Sequence, residues 1–120
     1  MEKIIINDHI QGDPLSEENL DKTLDFLNKI RLLFGQSKTI WLYSGYKFSD
    51  IFRGSPSYLS TKGYNNVKRR RIIEQCDVMV DGRYIDSQRN ISLKWRGSEN
   101  QRVINVKETL KQGEVVLYCE

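Results

Sequence analysis

The triplet Gly12-Asp13-Pro14 is the first place where residue types and spacing could support chemistry. A glycine ahead of a helix lets the backbone approach a ligand, and free backbone N–H and C=O groups there can bind a charged amino acid moiety. Asp-Pro is also a common way to begin a helix, and spacing alone favours that structural interpretation. The triplet is therefore both a candidate ligand turn and a candidate helix cap.

The basic run KRRR at positions 68–71 is a second candidate. Four adjacent cations could bind phosphates or an acidic partner. On a helix, however, they would point around most of the circumference while Val67, Ile72 and Ile73 turn inward. A solvated basic face is the favoured interpretation.

The segment LKWRGSENQR, positions 93–102, is the most unusual in composition. It combines a tryptophan, two arginines, a glycine turn and side chains able to make directed hydrogen bonds. Recognition loops are disproportionately of this kind, and a purely structural loop would need few such residues. An anion, a nucleotide or a protein partner would each fit. The candidate partner-binding residues are Trp95, Arg96, Gly97, Ser98, Asn100, Gln101 and Arg102.

Several common catalytic and metal sites are excluded by the residue inventory. His9 is the only histidine, so a histidine-rich metal site is impossible. The sequence contains no P-loop, no G-x-G-x-x-G and no G-x-S-x-G elbow. Cys76 and Cys119 are the only cysteines, too few for a Cys-ligated iron–sulfur cluster, and are interpreted as buried small hydrophobes. No catalytic residue and no metal ligand is assigned.

Composition indicates one globular domain over residues 1–120. Hydrophobic residues make up 38% and charged residues 29% of the chain, which is lean but not disordered. The net charge of +3 is too weak to indicate nucleic acid, so such a partner is not favoured. Neither a membrane-spanning run nor a secretory signal is recognisable, and we expect a cytoplasmic protein without a membrane partner.

The elements that must position these residues alternate between strand and helix. A buried strand is predicted over 3–7 and a helix over 17–34, with Ser16 as its N-cap and Gly35 as its stop. The predicted buried face of that helix consists of Leu20, Leu24, Leu27, Ile30 and Phe34.

The rest of the chain continues the alternation. Strands are predicted over 39–43 and 78–80, a short helical turn in KFSDIFRG, a loop over 54–66 and a helix over 67–75. Beyond these, residues 91–106 read as polar and turn-rich, KETLKQG as one or two helical turns and EVVLY as a terminal strand. This pattern predicts an α/β fold with a mostly parallel sheet. Ligands gather beyond the carboxyl ends of such strands, where positions 12–14, 44–46 and 81–83 would share one edge.

Four stretches together resemble one known family: GDPLSEENL, TIWLYSGYKF, CDVMVDGRYI and SLKWRGSENQRVINV. They are similar, in order and approximate spacing, to the activating proteins of anaerobic ribonucleoside-triphosphate reductase, small radical S-adenosylmethionine enzymes that generate a glycyl radical. The resemblance implies a partial (β/α) barrel of the radical S-adenosylmethionine type. It also implies S-adenosylmethionine and a [4Fe-4S] cluster as cofactors and the reductase large subunit as partner. The cofactor-binding positions it assigns are Gly12, Asp13, Pro14, Ser44 and Gly45.

The sequence departs from the family pattern near its beginning. The family's C-x-x-x-C-x-x-C cluster loop is absent, Gln11 replaces the first glycine of the cofactor turn, and NDHIQ separates the strand at 3–7 from Gly12. We therefore expect a chain lacking the N-terminal units of the barrel and matching the C-terminal two-thirds of the family's domain. Alone it would not cleave S-adenosylmethionine, and it would pair with either a separate N-terminal fragment or a second copy. The alternative is a non-catalytic protein that binds or regulates the reductase, while a phosphate or nucleic-acid binder is least favoured.

Overall fold

A computed structural model describes residues 2–54 and 57–118, in which four strands form one sheet in the order β1-β2-β3-β4. The strands are β1 (Lys3–Ile5), β2 (Thr39–Ser44), β3 (Val78–Asp81) and β4 (Arg102–Asn105). The first three are parallel, and β4 pairs antiparallel with β3. An α/β fold with a mostly parallel sheet is thus confirmed, whereas the partial barrel stays a prediction.

Four α-helices complete the described fold: α1 (Leu20–Phe34), α2 (Phe48–Ile51), α3 (Thr61–Glu74) and α4 (Val106–Gln112). A short 3₁₀ helix, Glu17–Asn19, leads into α1, so the predicted first helix is confirmed in extent. Leu20, Leu27 and Ile30 are buried on its inner face, but Phe34 is 41% exposed.

The helix α3 begins earlier than the sequence predicts. We expected a loop through position 66, yet the helix starts at Thr61. Ser60 explains the difference, since its side-chain oxygen accepts a hydrogen bond from the Gly63 amide at 3.0 Å and so caps the helix. A polar first turn without an apolar stripe conceals this start.

Two predictions for the last third of the chain are wrong. Arg102–Asn105 forms β4 within the segment expected to be turn-rich, because Val103 and Ile104 are buried against β3. Positions 114–118 do not form a strand; only an isolated bridge joins Ile104 to Leu117. The β4 strand is short, and its two buried residues are too few to stand out among polar neighbours.

The sheet carries an apolar cluster on each face. The larger cluster packs Ile40, Leu42 and Met79 of the sheet against helical residues such as Leu27 and Ile72. A smaller cluster lies on the other face and consists of Trp41, Val78, Val80 and Val103, with Ile5 and Tyr43 packed against it. Within the described residues, no helix is both long and apolar enough to cross a bilayer.

Candidate functional site

The carboxylate of Asp13 joins the first turn to the end of β2. Its Oδ1 accepts hydrogen bonds from the Leu15 amide and from the Ser44 hydroxyl, both at 2.9 Å. Its Oδ2 accepts from the Gly45 amide at 2.9 Å and from the same hydroxyl at 3.1 Å. The carboxylate therefore closes a local turn ahead of the helix and ties together two chain segments 31 positions apart.

The peptide around Gly12 is held in a conformation that glycine favours. Its φ of +83° lies in the left-handed region, and an added Cβ would stand 3.4 Å from the Asn19 side chain. The buried Asn19 amide donates to the carbonyls of Gln11 and Asp13 at 3.0 and 2.9 Å. Asn19 thus braces the turn from inside, and the Gly12 backbone remains on the exposed side.

The remaining residues of this junction have structural partners. Pro14 is buried, and its carbonyl accepts a hydrogen bond from Thr23 Oγ1 at 2.9 Å. The Ser16 side chain does not cap the helix as expected; its hydroxyl donates to the Asp13 carbonyl at 2.7 Å.

The three predicted turns do meet at the carboxyl edge of the sheet. A Cβ built on Gly45 would lie 3.6 Å from Asp13 Oδ2 and 4.0 Å from the Arg83 Cα. Beside them is an open cavity of about 700 Å³. Two carboxylates and two cations contribute to its walls, which are formed by Asp13, Gly45, Tyr46, Lys47, Asp50 and Arg83.

At the third turn, Asp81 is a buried carboxylate with a full set of partners. It is 1% exposed, accepts from the Phe48 amide at 2.8 Å, and forms a bidentate pair with Arg102 at 3.1 and 2.8 Å. The hydrogen bond with Asp81 raises the pKa of Arg102 above its ordinary value. The pair fixes the end of β3 against β4 and orients the Gly82-Arg83 turn.

The side chains of the segment 95–102 mostly bond to their own loop and to that turn. Gln101 Oε1 accepts from the Gly97 and Ser98 amides at 2.9 and 3.1 Å, while its Nε2 donates to the Gly82 carbonyl at 3.1 Å. The fully buried Ser98 donates to Asn100 Oδ1 at 2.6 Å. A loop of this shape does need many directed hydrogen bonds, contrary to the sequence argument.

Two further members of that segment have different surroundings. Arg96 Nη1 donates to the Gln101 carbonyl at 2.6 Å, whereas Trp95 is 38% exposed and packs on Trp41 with ring centroids 5.1 Å apart. Trp95 also has a φ of +71°, which is uncommon for any residue but glycine. Partner binding by this segment stays a prediction.

The basic run does not form the solvated face that we expected. Arg69 is only 6% exposed, and its Nε donates to the Leu15 carbonyl at 2.7 Å. Arg70 donates to the carbonyls of Ile51 and Gly54 at 3.0 and 2.8 Å. Lys68 pairs with Asp21 at 2.8 Å, and only Arg71 is fully exposed. Helical packing against α1 and α2 turns these cations into hydrogen-bond donors for loop carbonyls.

The described residues do not fit an iron–sulfur cluster. Within 2–54 and 57–118, no group of three or more His, Cys, Asp or Glu side chains is placed to hold a metal ion. Cys76 is fully buried, and burial raises the pKa of its thiol to about 12, which opposes the thiolate form that binds metals. Cys119 lies outside the described residues.

Comparison with known proteins decides the family. Residues 8–104 match the family model described as a 4Fe-4S single cluster domain. The chain belongs to this family. The match includes the turn at Gly12, the end of β2, the third turn and the first three residues of β4, so all three turns of the site lie inside it.

Proteins named anaerobic ribonucleoside-triphosphate reductase-activating protein are similar to this chain. The one from Enterobacteria phage T4 is 33% identical over 94 residues, which cover 77% of this chain and 47% of that protein. Those from Haemophilus influenzae and Escherichia coli K12 are 30% and 29% identical over 96 residues, 80% of this chain and 52% and 53% of theirs. The chain spans about half the length of the curated relatives it matches. No solved structure matches it.

The structure adds residues that sequence reasoning missed. Lys47 lines the cavity beside Asp13, together with Arg83 of the predicted third turn, and Asn19 supports the first turn from within. Asn7 bonds both backbone groups of Tyr43, at 2.8 and 2.9 Å. Lys47 directly follows a predicted turn residue, which is a usable signal, whereas an asparagine that supports a distant backbone has no sequence signature.

Proposed function

We propose that this chain carries the S-adenosylmethionine-binding turn of a reductase-activating protein. One observation carries the proposal: the Asp13 carboxylate ties the Gly12–Pro14 turn to Ser44 and Gly45, the positions to which the family resemblance assigns the cofactor. The names of the similar proteins support an anaerobic ribonucleoside-triphosphate reductase as the target.

The cavity beside the turn suits the methionyl end of that cofactor. A free amino acid end carries an ammonium and a carboxylate, and the walls offer both the carboxylate of Asp50 and the cations Lys47 and Arg83. The exposed backbone at Gly12 offers polar groups as well. Opposite charges placed on one cavity would orient a zwitterion rather than a simple anion.

The cluster chemistry needs ligands that this chain does not assemble. When bound next to a reduced [4Fe-4S] cluster, S-adenosylmethionine supplies the oxidising radical that activates a glycine in the family that the chain resembles. Three or four thiolates hold such a cluster, and the sequence has two cysteines. We propose that this chain alone binds the cofactor without cleaving it.

Binding is tested by isothermal titration of the chain with S-adenosylmethionine. Arg83→Gln should weaken binding about tenfold, because a charged hydrogen bond to the carboxylate contributes about 1.5 kcal/mol. Arg89→Gln, another exposed arginine, is the matched control and should change binding less than twofold. Absence of binding, or equal weakening by both variants, would exclude the turn as the cofactor site.

Catalytic competence is tested by anaerobic reconstitution with iron and sulfide. We expect no 5′-deoxyadenosine from the chain alone. Cluster absorbance together with turnover would refute the proposed incompetence while leaving the binding site intact. Addition of a polypeptide that carries a C-x-x-x-C-x-x-C loop tests whether the two pieces form one enzyme.

Pairing with another polypeptide is supported by the position of β1. Among residues 2–54 and 57–118, this strand is at the edge of the sheet and pairs only with β2. A further strand could pair there, either from a separate N-terminal fragment or from a second copy of this chain. The molar mass from light scattering after size exclusion distinguishes a homodimer from a monomer, and only the monomer would leave β1 free to pair with a separate fragment.

A second candidate function is a non-catalytic protein that binds the reductase. It is favoured by the loop at 95–102, which is braced by its own hydrogen bonds and presents Trp95 and Gly97 to solvent. Lys94→Glu beside this surface should weaken retention by the purified large subunit, whereas Lys111→Glu on α4 should not. No retention of the unmodified chain at micromolar concentration would exclude this role.

A further inference from the structure

A second cavity shares Tyr46 and Asp50 with the cavity beside the Gly12–Pro14 turn. It has a volume of about 580 Å³. Three cations and one carboxylate face it, and its walls are formed by Tyr46, Asp50, Ile51, Arg53, Lys62, Asn66 and Arg69. The proposed cofactor function uses none of these cations.

Arg69 at this cavity is a buried cation with neutral partners. It is 6% exposed, and its guanidinium donates to the Leu15 carbonyl, to Asn66 Oδ1 at 2.8 Å and to the Tyr46 hydroxyl at 3.4 Å. Its Cζ also lies 4.4 Å from the centre of the Tyr46 ring. Within residues 2–54 and 57–118, no carboxylate forms an ion pair with it.

A buried charge without a counter-ion is costly. Removing a guanidinium from water costs several kcal/mol, which dipoles and an aromatic face recover only in part. A guanidinium has five N–H donors, and the contacts above engage three of them. An anion in the adjoining cavity would supply both the missing charge and the missing acceptors.

The charge of the cavity favours a dianion. The charged wall residues are three cations, Arg53, Lys62 and Arg69, and one carboxylate, Asp50, which gives a formal charge of +2. Asp50 already forms an ion pair with Arg53 at 3.5 Å. Arg70 holds the carbonyls of Ile51 and Gly54, which fixes the wall that carries Arg53. Arginine forks match the oxygens of a phosphoryl group.

We propose that this cavity binds the phosphoryl group of a small phosphate monoester. Arg69 is the buried anchor, and Arg53 and Lys62 close on the phosphate from the exposed side. The volume leaves room for an organic part beside Tyr46. This site adjoins the cavity beside Asp13, with which it shares Tyr46 and Asp50, but none of its three cations lines that cavity.

Titration with inorganic phosphate and with AMP, at ionic strength fixed with sodium chloride, tests the proposal. Both ligands should raise the melting temperature and bind with one site. Tighter binding of AMP indicates that the organic part contributes, and equal binding indicates that phosphate alone is recognised. No binding of either ligand would overturn the proposal.

Variants locate the bound anion. Lys62→Gln and Arg53→Gln should each weaken AMP binding about tenfold, because each removes a charge-assisted contact. Arg71→Gln, on the same helix as Lys62 but outside the cavity, is the matched control and should change binding less than twofold. Equal effects of all three would show attraction to general surface charge and contradict the site. Arg83→Gln, at a residue that does not line this cavity, should change AMP binding less than twofold, which separates this test from that of S-adenosylmethionine binding.

Discussion

The Cys76 thiol is fully buried at the end of α3, where its Sγ lies 3.3 Å from the Ile72 carbonyl. Burial raises its pKa to about 12, with the nearby Asp77 charge acting in the same direction. The thiol is therefore neutral at physiological pH and acts as a small hydrophobic group. This agrees with the sequence interpretation of Cys76 and argues against a ligand role in the folded chain.

The raised thiol pKa makes stability depend on alkaline pH. Below the ordinary thiol pKa of 9.0, Cys76 is protonated in both the folded and the unfolded chain. Its contribution to the free energy of unfolding is then fully present. Between pH 9 and 12 only the unfolded chain loses the proton, and stability falls as pH rises. Urea unfolding at pH 8 and pH 10 should therefore show the unmodified chain losing about 1.4 kcal/mol more than Cys76→Ala. An equal loss in both proteins would mean that the thiol titrates normally.

The capping role and the ligand role of Asp13 are alternatives in the sequence, whereas in the structure the carboxylate bonds the Leu15 amide ahead of the helix and ties the turn to β2. The sequence could predict that Asp13, Ser44 and Gly45 share an edge, because parallel strands end there. It could not predict which oxygen meets which donor. That detail decides how much of the carboxylate is left for a ligand.

At the level of elements, the end of β1 is continued by a side chain. Backbone pairing of β1 with β2 ends at Ile5 and Trp41, after which the chain turns into a short 3₁₀ helix, Ile6–Asp8. The Asn7 amide then donates to the Tyr43 carbonyl and accepts from the Tyr43 amide. It thus does what the next residue of a longer strand would do, and it supports β2 immediately before Ser44.

Replacement of Asn7 should loosen the end of β2. Asn7→Leu leaves both polar backbone groups of Tyr43 without their partner and should lower the free energy of unfolding by about 2 kcal/mol. Hydrogen exchange at the Tyr43 amide should accelerate strongly. Asn28→Leu, an exposed position on α1, is the control and should stay within about 0.5 kcal/mol. Unchanged exchange at Tyr43 in Asn7→Leu would contradict the supporting role.

Elements with long periodic or apolar patterns were predictable, and those held by single contacts were not. The helix α1 and the strands β1, β2 and β3 follow from runs and spacings of apolar residues. The early start of α3 depends on the Ser60 cap, and β4 depends on two buried residues beside the Asp81–Arg102 ion pair. The NDHIQ interruption indicated a disturbed strand, and only the structure shows that Asn7 replaces the missing pairing.

At the scale of the whole molecule, the sheet face that carries the smaller apolar cluster is covered differently from the face that carries the larger one. The larger cluster lies under helices, whereas Trp41 on the other face is contacted by Trp95 and by Tyr118 with ring centroids 5.1 and 5.2 Å apart. Lys3 Nζ lies 4.1 Å from the Trp41 ring and 3.7 Å from the Trp95 ring. A loop, a chain end and one cation therefore cover this face. The first strand and the 95–102 loop are coupled through it.

Substitution of Trp95 should reveal both its packing and its backbone strain. Trp95→Ala and Trp95→Gly each remove the ring from Trp41 and Lys3 and should lower the free energy of unfolding by about 2 kcal/mol, since the ring is partly exposed. The glycine variant should be about 1 kcal/mol more stable than the alanine variant, because φ at this position is +71°. Urea unfolding of both, with Trp95→Phe as the variant that retains an aromatic ring, measures the two effects separately. If Trp95→Ala had the same free energy of unfolding as Trp95→Gly, the backbone would relax at this residue. The hydrogen bonds of Gln101 and Ser98 would then suffice to fix the shape of the loop.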